Sequence, residues 1–172
     1  TERGTVLIKG SAAVSTIEHA MAALYAKGVD NCLIEVNAPE FPILDGSAKH
    51  YIEAIERVGL VEQELPVEPY IVKQRQEVSS SDGRSRIILL PDSKFGVDVH
   101  VSFDSPVLSN QFASLESLED FDQEISASRT FVFVREVETL LEHNLIKGGD
   151  LDNALVIYDQ PMEQTQLDKI CD

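Results

Sequence analysis

The stretch from Ser15 to Gly28 limits the folds open to this chain more than any other. In a helix started at Thr16, with about 100° per residue, Ile17, Ala20, Met21 and Leu24 gather on one side. His19 falls on the opposite side, among Ala22, Ala23 and Ala26. That second side is apolar but small, so another backbone can come close. A helix apolar on both sides belongs between two layers rather than on an outer surface. Ser15-Thr16-Ile17-Glu18 has capping-box spacing, which predicts Ser15 as N-cap with Glu18 reaching back. Gly28 is the predicted stop, with the helix running to about Lys27.

The flanking segments supply strands and a second helix. A strand is predicted over 5–8, and residues 31–38 (NCLIEVNA) alternate like a half-buried strand. Pro39-Glu40-Phe41-Pro42 and Asp45-Gly46-Ser47 punctuate a loop. A helix over 47–58 closes at Gly59, with Tyr51, Ile52, Ile55 and Val58 as its apolar stripe. Residues 61–69 are acidic with two prolines, and the boundary placed near Pro66 divides the chain into 1–65 and 66–172. Strands are expected over 70–79, 84–90 and 95–103, the first two joined by a hairpin turn at Ser79-Ser80-Ser81-Asp82-Gly83. Residues 115–126 are acidic and helical in character, and 130–144 fit a helix or a strand followed by a helix. Gly148-Gly149 marks a sharp turn, 154–158 a strand and 163–172 a helix. Strands and helices come in runs, which predicts the α+β class.

Composition excludes several functions. Of the 172 residues 43% are hydrophobic and 26% charged, enough for a core and against disorder. Fourteen Lys+Arg against 30 Asp+Glu give a net charge of -16. Such a surface repels phosphate backbones and anionic lipid, so no nucleic-acid partner is expected. No apolar run approaches the roughly 20 residues of a spanning helix, and the amino end has no secretory pattern. Cys32 and Cys171 suffice for neither a disulfide framework nor a thiolate zinc site. A cytoplasmic setting is expected. The chain starts without Met and stops within a predicted helix, which suggests a piece of a longer protein.

Glu18 and His19 share the first turn of the predicted buried helix. Two readings stand side by side. Glu18 is a cap and His19 a hydrogen-bonded core histidine, or His19 is a zinc ligand and Glu18 the base acting on a water. Zinc catalysis takes about three N or O ligands and one open position, and the base must reach the water without occupying the metal. The helix N-terminus favours an ionised carboxylate there. No partner pair completes a site. His100 and Asp104 lie on a predicted strand, about 13 Å apart. His50 and Glu53 read as a solvated or locally paired face. His143 sits near a helix C-terminus, where a cation is favoured.

Longer blocks carry a specific resemblance. Val14-Ser-Thr-Ile-Glu-His-Ala-Met-Ala-Ala-Leu24, Gly28-Val-Asp-Asn31 and Ile34-Glu-Val-Asn-Ala-Pro-Glu-Phe-Pro-Ile-Leu-Asp-Gly-Ser-Ala48 resemble the UDP-3-O-acyl-N-acetylglucosamine deacetylases, zinc enzymes of lipid A synthesis in Gram-negative bacteria. Ser128-Arg-Thr-Phe-Val-Phe133 and Gly148-Gly149-Asp-Leu-Asp-Asn-Ala154 agree. The wording around Gly148 looks like the Bacteroidetes branch, in which a hydroxyacyl-ACP dehydratase is often fused. The resemblance implies two small α+β domains with helices packed between two β-sheets. It implies a UDP-sugar acyl substrate, His19 as a Zn2+ ligand, Glu18 as general base and Thr130 as oxyanion donor. Phe131 and Phe133 match aromatics lining the substrate cleft, and Phe103 one near the nucleotide. Ordinary core packing is the alternative for all three. Val137, Gly149, Asp150, Ala154 and Val156 match a β-α-β insert walling the acyl passage, with Asp150 in place of a small polar residue. The family's other zinc ligands, a His and an Asp four apart, and its general-acid His have no counterpart before Asp172. The chain alone is therefore expected to be inactive. A non-catalytic acidic module has no need of Glu18, His19 and Thr130 together, and a generic zinc amidase would carry His-Glu-x-x-His, which is absent.

Overall fold

The computed structural model describes residues 4–142, 150–159, 161 and 163–165. Strands β1 (Val6–Lys9) and β2 (Ala12–Ser15) form an antiparallel hairpin, in register from Val6 opposite Ser15 to Lys9 opposite Ala12. Gly10, at φ 60, makes its tight turn. β2 was not anticipated, and it removes Ser15 from the predicted cap. Ser15 ends a strand, and its hydroxyl donates to the Pro39 carbonyl at 3.3 Å.

Helix α1 spans Glu18–Ala26, with Ile17 at the N-cap position and no side-chain cap bond. Its end follows the sequence. Gly28, at φ 69, donates to the Tyr25 carbonyl and Val29 to the Leu24 carbonyl, the two bonds of a Schellman stop. Helix α2 (Lys49–Val58) closes at Gly59, which donates to the Ile55 carbonyl. The two helices pack on each other. Ala23, Ala48 and Ile52 join Leu115 and Phe121 in the core, with Ala22, Ala26, Tyr51 and Ile55 at its margin. Lys27 clamps the edge, donating to Glu56 and Asp122 at 2.8 Å each.

Two packing expectations are corrected here. α1 buries Ala20 and Ala23, but Met21, expected on the side of Ala20, is 47% exposed, so that side is only partly covered by the described residues. Val58, assigned to the stripe of α2, is 83% exposed at the helix end, beyond the reach of the core cluster. A third correction concerns residues 31–38, which form no strand. They are exposed, and among the described residues the loop shows a single isolated parallel bridge, from Glu40 to Ser15. Alternation makes a chain extended, but a strand also needs a ladder partner.

The hairpins expected downstream are present but shorter. β3 (Gln76–Ser79) pairs antiparallel with β4 (Arg86–Leu89), so residues 70–75 of the predicted strand are not in it. β5 (Val97–Ser102) pairs antiparallel with β6 (Asn110–Leu115), which the sequence did not suggest. A 3-10 turn at Leu118–Asp120 leads into the short helix α3 (Phe121–Glu124). Strand β7 (Phe131–Phe133) runs directly into helix α4 (Val134–Glu142), the strand-then-helix alternative. β7 then pairs in parallel with β8 (Leu155–Ile157), from Phe131 opposite Leu155 to Phe133 opposite Ile157. Helices and four small two-stranded sheets make the chain α+β. His143, Gly148, Gly149 and most of 163–172 lie outside the described residues.

Candidate active site

Glu18 opens α1, and its carboxylate is only half satisfied. Oε1 accepts from the Thr5 amide at 2.8 Å. Oε2 is buried with no hydrogen-bond partner. A buried carboxylate oxygen without a donor carries a desolvation cost. The capping-box role is overturned, because Oε1 is spent on the Thr5 amide and the Ser15 amide donates to the Pro39 carbonyl instead.

His19 follows on the helix and is half-buried. It makes no hydrogen bond or ion pair among the described residues. The hydrogen-bonded core histidine is therefore not what is found. Among the described residues no three His, Cys, Asp or Glu side chains converge as a metal cage.

The turn into α1 is unusual. Thr16 has φ 57, and its hydroxyl donates to Glu40 Oε1 at 2.7 Å. Around it the Ser15 amide donates to the Pro39 carbonyl at 2.9 Å and the Phe41 amide to the Ser15 carbonyl at 3.1 Å.

The loop that holds Ser15 also holds Thr130. The Thr130 amide donates to the Gly46 carbonyl at 2.7 Å, and its own carbonyl accepts from Leu155 at 2.9 Å. The Thr130 hydroxyl makes no hydrogen bond among the described residues. Gly46 has φ 78, and a Cβ there would lie 2.0 Å from the Asn153 carbonyl oxygen and 3.2 Å from Thr130 Cγ2. Only glycine permits that approach. Arg129 fastens the same segments, donating from Nε to the Asp45 carbonyl at 2.8 Å and from Nη2 to the Leu151 carbonyl at 3.1 Å. The Asp45 carboxylate accepts from the Ser47 hydroxyl at 2.8 Å and amide at 3.1 Å. Burial pushes the Asp45 pKa up, but the Ser47 bonds and the nearby His50 outweigh it and leave it below 3.8. His50 pairs locally with Glu53 at 2.8 Å, as its spacing suggested.

The three phenylalanines are brought together. Phe103 meets Phe131 edge-on at 5.3 Å and Phe133 at 5.6 Å, and Phe131 meets Phe133 at 5.7 Å. Alternation on β7 places Phe131 and Phe133 on one face. Phe133 is buried, while Phe131 remains 38% exposed. The Arg135 guanidinium lies over the Phe133 ring at 4.5 Å and pairs with Asp159. The Asp159 side chain is fully buried, and its Oδ1 has no partner.

The remaining expected residues sit in the β7–α4–β8 unit. Val137 is buried beside Val134. Ala154 and Val156 are half-buried, Val156 opposite Val132. Asp150 is exposed and caps its own turn, accepting from Asp152 at 2.8 Å and Asn153 at 3.0 Å. Gly149 is outside the described residues. Sequence reasoning missed Arg129, Asp45, Gly46 and the Arg135–Asp159 pair. Asp45-Gly46 carried a signal, since an Asx-Gly turn asks for a left-handed glycine. The ion pair joins distant segments and carried none.

Residues 1–169 match the family model described as UDP-3-O-acyl N-acetylglycosamine deacetylase. A bifunctional enzyme LpxC/FabZ of Porphyromonas gingivalis is 69% identical over all 172 residues, which cover 37% of that protein. The bifunctional enzyme LpxC/FabZ of Bacteroides thetaiotaomicron is 58% identical over the same span. A UDP-3-O-acyl-N-acetylglucosamine deacetylase of Pseudomonas entomophila is 39% identical over 160 residues, 91% of this chain and 52% of that protein.

Proposed function

Because the chain belongs to the UDP-3-O-acyl N-acetylglycosamine deacetylase family, we propose that it carries the base, one metal ligand and the oxyanion donor of that hydrolysis. The substrate proposed is UDP-3-O-acyl-N-acetylglucosamine, and the products are acetate and the free glucosamine amine of the lipid A route. The chain spans 37% of the bifunctional relatives and about half of the single-function one, so the activity is proposed for the whole protein.

The observation that carries the proposal is the unpartnered, buried Glu18 Oε2 next to a His19 ring that has no hydrogen bond. That pair fits one zinc ligand and one base, and not a complete cage. The other ligands, a His and an Asp, are expected outside the described residues. When bound, zinc lowers the pKa of a water and polarises an amide carbonyl. Glu18 Oε2 takes the proton of the attacking water. The water oxygen bonds to the acetyl carbon, the C–N bond breaks, and the leaving nitrogen takes up a proton from the family's general-acid His, expected outside the described residues. Thr130 Oγ1, unengaged in the fold, donates to the developing oxyanion. The Phe103, Phe131 and Phe133 rings offer an apolar wall, and Val137, Gly149, Asp150, Ala154 and Val156 are assigned to the acyl passage. A division near Pro66 separates a helix-bearing part, 1–65, from 66–172.

The bifunctional names of the relatives support a fused second enzyme, expected to be a hydroxyacyl-ACP dehydratase. No described helix is long and apolar enough to cross a membrane. A cytoplasmic site of action is part of the proposal. The test is acetate release from the UDP-linked substrate by the full-length protein with zinc. Release abolished by chelation and restored by zinc supports the reading, and zinc-independent release or none defeats it.

A further inference from the structure

Thr16 adopts φ 57, a left-handed conformation that a β-branched side chain tolerates poorly. Leu44 (φ 53) is the other non-glycine residue in that region among the described ones. Leu44 lies in the loop that holds Ser15 and Thr130, and Thr16 in the turn from β2 into α1. Backbone strain of this kind persists where surrounding contacts over-determine it, and it gathers at functional sites. At Thr16 those contacts are identifiable. Its hydroxyl donates to Glu40 Oε1 at 2.7 Å, and the Ser15 backbone on one side is held by Pro39 and Phe41. Glu18 and His19 follow after the buried Ile17, with no side-chain cap to fix the helix start. Their aim is therefore set jointly by the Thr16 turn, the burial of Ile17 and the Thr5 amide on Glu18 Oε1.

Resting on the reading of Glu18 and His19 as base and ligand, we infer that Glu40 is a positioning residue: through the Thr16 hydroxyl it holds the strained turn that points both side chains into the site. Glu40 is exposed and its bond to Thr16 is at the surface. Losing the bond therefore disturbs catalytic geometry more than folding. Misplacement by a fraction of an ångström is enough to slow an enzyme about tenfold.

The test uses the full-length zinc protein with Glu40→Ala, Thr16→Ser and Thr16→Gly, assayed for kcat, KM, melting temperature and zinc retained on dialysis. Glu40→Ala is expected to lower kcat about tenfold with KM within about twofold, with faster zinc loss and little change in melting temperature. Thr16→Ser keeps the hydroxyl and keeps kcat. Thr16→Gly relieves the strain, so it melts higher yet loses kcat. A structural turn without positioning gives the reverse: Thr16→Gly more stable and fully active, and Glu40→Ala unchanged in kcat and zinc retention. Either result overturns the inference. Wild type and Glu18→Ala run alongside separate the two failures. An active wild type silenced by Glu18→Ala, together with an unchanged Glu40→Ala, sinks only the role of Glu40. A wild type without deacetylase activity sinks the underlying reading, and this inference with it.

Discussion

Glu18 spends one oxygen on the Thr5 amide and keeps the other buried and free. Thr130 is fixed by two backbone bonds while its hydroxyl stays unengaged. Both residues are held by the backbone and leave a side-chain atom available. If the Thr130 hydroxyl meets an oxyanion, Thr130→Val should raise the barrier by about 2.7–4 kcal/mol, read as a fall in kcat with KM nearly unchanged. Thr130→Ser should keep most of the rate. Asp45 gives a pH prediction with a definite sign. Its pKa is depressed below 3.8 in the folded chain, so its contribution to stability is present above the unfolded pKa and is lost as pH falls through the folded value. Melting measured from pH 6 down to about pH 2 should show that acid loss, and Asp45→Asn should flatten it. At this scale helical phase and spacing placed Glu18 and His19 in one turn but left cap and core readings beside base and ligand, and only the family resemblance chose between them. The role of Thr130 came only with the family resemblance. Thr16 was invisible, because threonine does not advertise a left-handed turn.

Among the elements, α1 shows what local signals can and cannot convey. Its end was readable because Gly28 supplies the positive φ of a Schellman stop. Its start was misread, since Ser15-Thr16-Ile17-Glu18 has capping-box letters while Ser15 belongs to β2. Residues 31–38, β2 and β6 failed for one reason: pairing decides strands, and the partner is not local in sequence. The β7–α4–β8 unit was readable as strand and helix from local signals, but its parallel closure came only with the β-α-β insert that the family resemblance implied. That closure is locked by Arg135 at the start of α4 and Asp159 just after β8. Arg135→Ala leaves a fully buried carboxylate without its cation. Urea unfolding should show a loss of about 3 kcal/mol, the low end for a buried pair because Arg135 is itself 34% exposed. The Phe133 ring beneath Arg135 should also gain motion, seen as averaged ring resonances.

For the whole molecule, charge and composition narrow the classes of partner to expect and are silent about chemistry. The net charge of -16 offers no general cradle for an anion, so binding of the proposed UDP-linked substrate would fall to a few local cations. The α+β class followed from runs of elements, but the sequence did not show that the strands would form four separate pairs. A single imidazole holds zinc weakly, so the 172-residue chain should lose zinc on dialysis, while the full-length protein retains about one per chain. Zinc retained by the short chain at that stoichiometry would mean that its own residues complete a cage. The central claim is that Glu18 is the base beside His19. Its most direct test is turnover and zinc content of Glu18→Ala in the full-length protein. The account predicts that kcat falls by about 10²–10⁴ with about one zinc per chain still bound, and undiminished deacetylation by that variant contradicts it.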